Sequence, residues 1–179
     1  MSVATQGSRA SNVSFERERG VYALQILRDA ARAVISIGDD AQRSSRILQV
    51  FRVLAAADVP IFLIKMHRSA VTLTYSGADQ AKASKALAEA GLTAETQSDL
   101  ALIVVRAASM RDLHGVMVAI ADALFAAGAR LYETGDSHNS VQCLIEGSRA
   151  DAAVAQLCAT FHLETSTVQY GSVGGEEGA

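Results

Sequence analysis

Two loops in this chain combine the residue types that hold a small zwitterion. Gly38-Asp39-Asp40-Ala41-Gln42-Arg43-Ser44 and Ala108-Ser109-Met110-Arg111-Asp112-Leu113-His114-Gly115 each run from an apolar stretch into a segment of helical periodicity. Free N–H groups and the dipole at a helix start attract a carboxylate. A neighbouring aspartate suits an ammonium group, and Gly115 leaves room for a ligand to approach the backbone. A plainer use exists for the same residues. Asp39, Asp40 and Asp112 cap helices in it, and Arg43 and Arg111 lie in solvent. Lys65 stands near the end of the apolar run Ile61-Phe62-Leu63-Ile64-Lys65-Met66. There it either snorkels at a sheet edge or meets a ligand carboxylate or an interface. Glu133, two residues off the equivalent position further along the chain, suits a ligand ammonium.

Catalytic chemistry finds less support. His67, His114, His138 and His162 are scattered, and no nucleophile has an oriented base beside it. Cys143 and Cys158 share no metal or redox spacing and fall on apolar-compatible positions, so packing is their expected use. No Gly-rich loop cradles a phosphate. Neither a cofactor nor a metal is expected.

Composition bounds the class. The chain has 179 residues, 50% of them hydrophobic and 20% charged, with one Pro and a net charge of -3. That balance argues against a nucleic-acid footprint. No run approaches the roughly 18 apolar residues of a membrane span. Residues 1–12 lack the apolar core of a secretory signal, so a cytoplasmic protein is expected and Asn12-Val13-Ser14 is a chance glycosylation match. Residues 1–12 and 171–179 are polar or Gly-rich and are expected to be flexible tails.

The elements that position these loops come twice. Sliding the sequence by about 70 positions puts apolar residues on apolar residues without a gap. Val34 falls on Val104, Ile47 on Met117, Val50 on Ile120, Leu54 on Leu124, Ile61 on Leu131, Val71 on Val141 and Leu87 on Leu157. Ala33–Ile37 predicts a strand, and Ser44 or Ser45 a cap for the helix that carries Ile47, Val50 and Leu54. Two strands, 61–66 and 70–75, meet at His67-Arg68-Ser69, and a helix from Asp79 ends at Gly91 before a strand at 92–96. The second copy repeats this through strands at 100–107, 129–134, 140–145 and 163–170. Each copy therefore predicts βαββαβ, a ferredoxin-like unit with a four-stranded antiparallel sheet and two helices on one face. The α+β chain divides into residues 13–98 and 99–170. Val21–Leu27 predicts an extra strand that leads in from elsewhere or pairs with an edge. Strand residues 61–66 are apolar on both faces, and an open sheet of that kind wants a partner.

The second copy resembles a known family. Gly115-Val116-Met117 with Ala123-Leu124-Phe125-Ala126-Ala127-Gly128, Tyr132-Glu133-Thr134-Gly135-Asp136-Ser137-His138-Asn139-Ser140, and Ala153–Leu157 followed by Phe161-His162-Leu163 are similar to tandem ACT domains. The likeness is to the regulatory half of bacterial aspartate kinases, or to the separate small regulatory subunit that some of them possess, with His114 where that family usually has Pro. The resemblance implies no kinase activity, because the catalytic domain is absent from this stretch. It also implies an aspartate-family amino acid effector such as lysine, diaminopimelate or threonine. The implied site is Ser109, Met110, Asp112, His114, Gly115 and Val116, closed by Glu133, Thr134, Asp136, Ser137, His138 and Asn139. Asp39, Asp40, Gln42, Ser44 and Lys65 form its first-copy counterpart. A homodimer and a separate kinase or biosynthetic enzyme chain are the implied partners. The other reading is a ligand-free subunit that only holds an oligomer together.

Overall fold

Two long runs of alternating apolar residues make the strands on which everything else is laid. The structure, a computed structural model, describes residues 20–110 and 113–173. Its elements are β1 (Val21–Ser36), α1 (Arg43–Ala56), β2 (Leu63–Met66), β3 (Ala70–Ser76), α2 (Gln80–Glu89), β4 (Ala94–Ala107), α3 (Val116–Ala126), β5 (Leu131–Asp136), β6 (Ser140–Glu146), α4 (Ala150–Phe161) and β7 (Val168–Ser172). They form one sheet in the order β2-β3-β1-β4-β6-β5, and β7 pairs with β1. Every pair is antiparallel except β1 with β7, which is parallel.

The sequence predicts two separate antiparallel sheets, and here the structure differs. The predicted extra strand at Val21–Leu27 is the first half of β1, fused to the strand predicted at Ala33–Ile37. That first half pairs with the end of β4, Leu24 against Val105 and Leu27 against Leu102. The second half of β1 pairs with the start of β4, Arg32 against Gln97 and Ile35 against Ala94. β1 and β4 thus serve both copies, and β7 is displaced to the outside of β1.

Midway, both strands bulge. The register shifts between Leu27 and Ala30 and again between Ala30 and Arg32. Asp29 has φ 58° and Asp99 has φ 57°. Aspartate is among the few residues besides glycine that visit this left-handed region. The two bulges are one repeat apart, and so are Ala30 and Leu100, which face each other in the ladder. A local twofold axis therefore passes through that pair. An extra residue in a strand reverses which side its neighbours face. In β1 the helix-covered residues change from Leu24 and Ile26 to Ala31, Ala33 and Ile35.

Two apolar clusters sit under the helices. One joins Ala33, Ile35, Leu73 and Tyr75 to Val50, Leu54 and Leu87 of α1 and α2. The other joins Ile26, Ile103, Val105 and Cys143 to Ile120, Leu124 and Leu157 of α3 and α4. A third, with Leu100, Leu102, Val104 and Leu144, holds Ala30 and Val173. The bulged sheet curls so that its two ends meet. A Cβ on Gly135 of β5 would lie 2.6 Å from Leu63 Cδ1 of β2. Arg32 stacks on the Tyr132 ring at 4.4 Å, with Nη1 3.5 Å from Glu133 Oε1. Gln97 accepts from Arg32 Nε at 3.2 Å and donates to Tyr132 Oη at 2.7 Å. This closure buries Thr72 and Thr74, so part of the surface that the sequence assigns to a partner is covered by the chain itself.

Smaller expectations change too. α1 starts at Arg43, and neither Ser44 nor Ser45 caps it. Ser45 Oγ instead donates back to Gln42 O at 2.9 Å. The last predicted strand is shortened by a turn at Thr165–Thr167. Gly171 and Ser172 belong to β7 and Val173 is buried, where a tail is predicted. The predicted N-terminal tail lies outside the described residues.

Glycines meet each bulge. A Cβ on Gly77 would stand 2.9 Å from Asp29 O, and one on Gly147 would stand 2.7 Å from Asp99 O. Gly147→Ala and Gly77→Ala should each destabilise the protein by about 1–3 kcal/mol, the usual cost of overpacking. Chemical denaturation midpoints check this, with Gly20→Ala as a near-neutral control because its Cβ would meet nothing.

Candidate functional site

Beyond β4 the chain is anchored to the β5–β6 hairpin. Ala107 N donates to Asn139 O at 2.9 Å, and Met110 N donates to His138 O at 2.8 Å. Leu113 N then donates to Met110 O at 3.2 Å. Gly115 precedes α3 with φ 77°, a conformation that a β-branched residue adopts only under strain. Its side of the helix has no side-chain cap among the described residues, so the first N–H groups of α3 have no side-chain acceptor there.

A cavity of about 760 Å³ opens between this loop, the start of α3 and the hairpin. Of the predicted ligand residues, Met110, Gly115, Val116, Thr134, Asp136, Ser137 and His138 line it together. Ser109, His114 and Asn139 stand beside the wall without lining it, and Asp112 lies outside the described residues with Arg111. Glu133 is turned away into the pair with Arg32, with only 12% of its side chain exposed. An ion-paired carboxylate there is not at hand for a ligand ammonium. Leu113, Met117, Val118, Gly135 and Val141 also line the cavity. Helical and strand periodicity assigns most of these to the core. Their nearness to Gly115 and Asp136 in the sequence is the signal that points to them.

The polar wall has distinct parts. Ser137 Oγ lies 2.8 Å from Ser140 Oγ and accepts from Ser140 N at 3.1 Å, so it shapes the hairpin. Asp136 is exposed at the end of β5 and forms no ion pair among the described residues. His138 is exposed, and its carbonyl anchors the Met110 loop.

The first-copy counterpart is arranged differently. Arg43 donates from Nη2 to His67 O at 2.9 Å and from Nε to Arg68 O at 3.0 Å. It is therefore tied to the hairpin, not left in solvent as the sequence suggests. Arg46 Nη1 donates to Ile37 O at 2.9 Å and to Asp40 Oδ2 at 3.0 Å, and Nη2 donates to Gln42 Oε1 at 3.2 Å. Asp40 Oδ1 accepts from Gln42 N at 2.9 Å. That backbone bond, then Arg46, holds the Asp40 carboxyl below its ordinary range. Asp39 pairs with Arg68. Ser44 is exposed, and Lys65 is half-buried opposite Thr72 without an ion pair among the described residues. Among the described residues the Asp40, Arg43 and Arg46 side chains bond within the loop and to the hairpin, and none of these first-copy residues lines the cavity of the second half.

No group of three or more His, Cys, Asp or Glu side chains is placed to hold a metal among the described residues. No helix among them is long and apolar enough to cross a membrane.

No family model matches the sequence, and no curated protein matches it either. Solved structures do match the fold. The regulatory subunit of aspartate kinase from Thermus thermophilus, in its ligand-free form, aligns at TM-score 0.69 with 21% identity, over 79% of this chain and 99% of that one. This chain has the fold of an aspartate kinase regulatory subunit. A structure of aspartokinase alpha and beta subunits aligns at TM-score 0.73 with 18% identity, over 80% of this chain and 100% of that one. Aspartokinase III from E. coli, in complex with lysine and aspartate, aligns at TM-score 0.65 with 17% identity, over 79% of this chain and 33% of that one. Within the aspartate kinase regulatory fold, the cavity of this chain lies in the half that carries the Gly115 loop and the Asp136-Ser137-His138 hairpin.

Both cysteines of this regulatory fold lie in its core. Burial pushes the Cys143 thiol up to about 12 and raises that of Cys158. The reactive species is the thiolate, which is scarce well below the thiol pKa. Both thiols should resist Ellman's reagent at pH 8 in native buffer and react promptly after unfolding. Fast native reaction would show that the sheet under α4 opens.

Proposed function

We propose that this chain is a non-catalytic regulatory module that binds an amino acid. In this reading it is two ferredoxin-like βαββαβ ACT units in tandem, divided between Gln97 and Leu100 where β4 bulges, with β1 lending its first half to the second unit. The effector is an aspartate-family amino acid such as lysine, diaminopimelate or threonine. One observation carries the reading: the loop and hairpin border a cavity at a helix start that has no side-chain cap among the described residues. The first N–H groups of α3 suit the ligand carboxylate, and Asp136 suits its ammonium group. Apolar Met110, Leu113 and Val141 face the rest of the ligand. The lysine and aspartate in the structure of the E. coli fold neighbour support this class of effector.

The module works as a homodimer in the cytoplasm, alongside a separate kinase or biosynthetic enzyme chain, away from membranes and nucleic acid. Support for self-association comes from Ile64 and Met66 of the edge strand β2 and from Phe62 just before it, which are exposed, with Leu48 exposed on α1. The pairing of alpha and beta subunits in one fold neighbour supports a separate chain. Effector binding would act by shifting between interface arrangements.

The second reading is a ligand-free oligomerisation subunit. Val118 and Phe125 favour it, since α3 exposes them at 63% and 86%. Calorimetric titration with lysine, diaminopimelate and threonine separates the two. One of them should bind in the micromolar to millimolar range, about -4 to -8 kcal/mol. Gly115→Val and Asp136→Asn should each weaken that binding by about 1–3 kcal/mol. Asp112→Ala tests the aspartate that lies outside the described residues. Absence of heat with all three amino acids would favour the second reading.

Light scattering at tens of micromolar checks the assembly. The mass should exceed the 18.8 kDa of one chain. Ile64→Lys, which places a charge on the β2 edge, should lower it toward that value. A monomer in the presence and absence of amino acids would refute the dimer.

A further inference from the structure

The two halves share two loop-and-hairpin bonds, although α1 starts at Arg43 whereas α3 starts three repeat positions later, at Val116, and in the first half the loop is bonded by its own side chains. Ile37 N donates to Ser69 O at 2.9 Å, as Ala107 N does to Asn139 O at 2.9 Å. His67 N donates to Ala70 O at 2.8 Å, as Ser137 N does to Ser140 O at 2.8 Å. Each bond and its counterpart are one repeat apart. Inside this frame the counterpart of Arg43 is Leu113, and that of Arg46 is Val116. Arg43 delivers its guanidinium to the hairpin carbonyls of His67 and Arg68. Arg46 delivers a second one to Ile37 O and Asp40, packed so closely that a Cβ on Gly38 would lie 2.7 Å from its Nη1. Leu113 and Val116 carry no side-chain donor, and among the described residues the space in front of them is the cavity.

We infer that the second half takes from a ligand the cation that the first half supplies from Arg43. The seat for that cation is the pair of hairpin carbonyls of Ser137 and His138, the counterparts of His67 and Arg68, beside the Asp136 carboxylate. Charge-assisted bonds from an ammonium or guanidinium group to such oxygens are the strong kind. His138 O already accepts from Met110 N, and a carbonyl has a second lone pair for the ligand. The ligand carboxylate then belongs at the opposite end, by α3. A chain therefore binds one ligand, because its first seat is occupied from within. The chemical class of the ligand rests on the amino-acid-binding reading, whereas the location of its cation rests on the internal repeat.

The test grafts the plug. Leu113→Arg supplies the second half with its own cation, and Leu113→Met controls for size. Calorimetry with lysine, diaminopimelate and threonine is paired with amide NMR spectra in ethylguanidinium chloride, a cation without a carboxylate. Leu113→Arg should weaken amino-acid binding by at least about tenfold and abolish ethylguanidinium shifts at Asp136–Asn139. Leu113→Met should change either by no more than about twofold. Wild-type binding should saturate at one ligand per chain, and Arg43→Leu with Arg46→Val should open a second site. Should that double variant fail to fold, the Leu113 arm decides alone.

If an amino acid binds but Leu113→Arg leaves it and the ethylguanidinium shifts unchanged, the cation seat is overturned while the regulatory reading stands. Two sites in the wild-type chain would overturn the plug in the same way. If no amino acid binds, yet ethylguanidinium moves the hairpin amides in the wild type and not in Leu113→Arg, the seat stands and the amino-acid reading falls. If neither kind of probe binds, both fall.

Discussion

The pairing of β1 with β4 is the constraint on which the rest of the molecule depends. Its ladder runs from Val21 opposite Ala107 to Ile35 opposite Ala94, and it reverses face once, at Asp29 and Asp99. Without that reversal, one half would turn its apolar residues away from its helices. With it, each half keeps two helices on a dry face, and the other faces curl toward each other. Arg32, Tyr132, Gln97 and Glu133 meet inside that curl. A partly exposed ion pair contributes only about 0–1 kcal/mol. Burial of each large side chain of the surrounding cluster contributes about 1.5–3 kcal/mol. Leu100, Leu102 and Leu144 therefore stabilise this inner face more than the ion pair does, while Arg32 reaches across to Glu133 and Tyr132.

The halves share a frame but differ in content. Two hairpin bonds of matching length brace both loops, while the helix after the second loop starts three repeat positions later. Side chains differ as well. Two arginines close one loop against its own carbonyls, and two aliphatic residues leave the other open. A duplicated fold can in this way keep a scaffold in both copies and a vacancy in one.

Much of this was legible in the sequence, for a local reason. Periodicity, turn residues and the repeat located the four helices and both hairpins, and the loop at 109–116 was placed beside the strand at 133–139. What escaped depends on contacts distant in the chain. Arg28 and Asp29 read as the end of a strand, yet there the strand bulges and continues. No local pattern says that Val21–Leu27 will lie on residues 102–107, or that Glu133 will be held by Arg32. Val173 lies within a Gly-rich stretch and reads as tail, but the inner cluster has room for it. Arg43 looks like any surface arginine until the hairpin carbonyls of residues 67 and 68 are brought to it.

The position of β7 has a kinetic meaning. The last strand of the described chain lies parallel on the first half of the first strand, Leu24 beside Val168 and Leu27 beside Gly171. During synthesis, Val21–Leu27 emerges first and stays unpaired until the end of β4 has followed it. Its other edge stays open until residues 168–172 have been made. Loops of that length are closed late and slowly. The second half's sheet is incomplete by itself, because it borrows Val21–Leu27 from the first half's stretch of sequence. The sheet is accordingly complete only once residues 168–172 have been made.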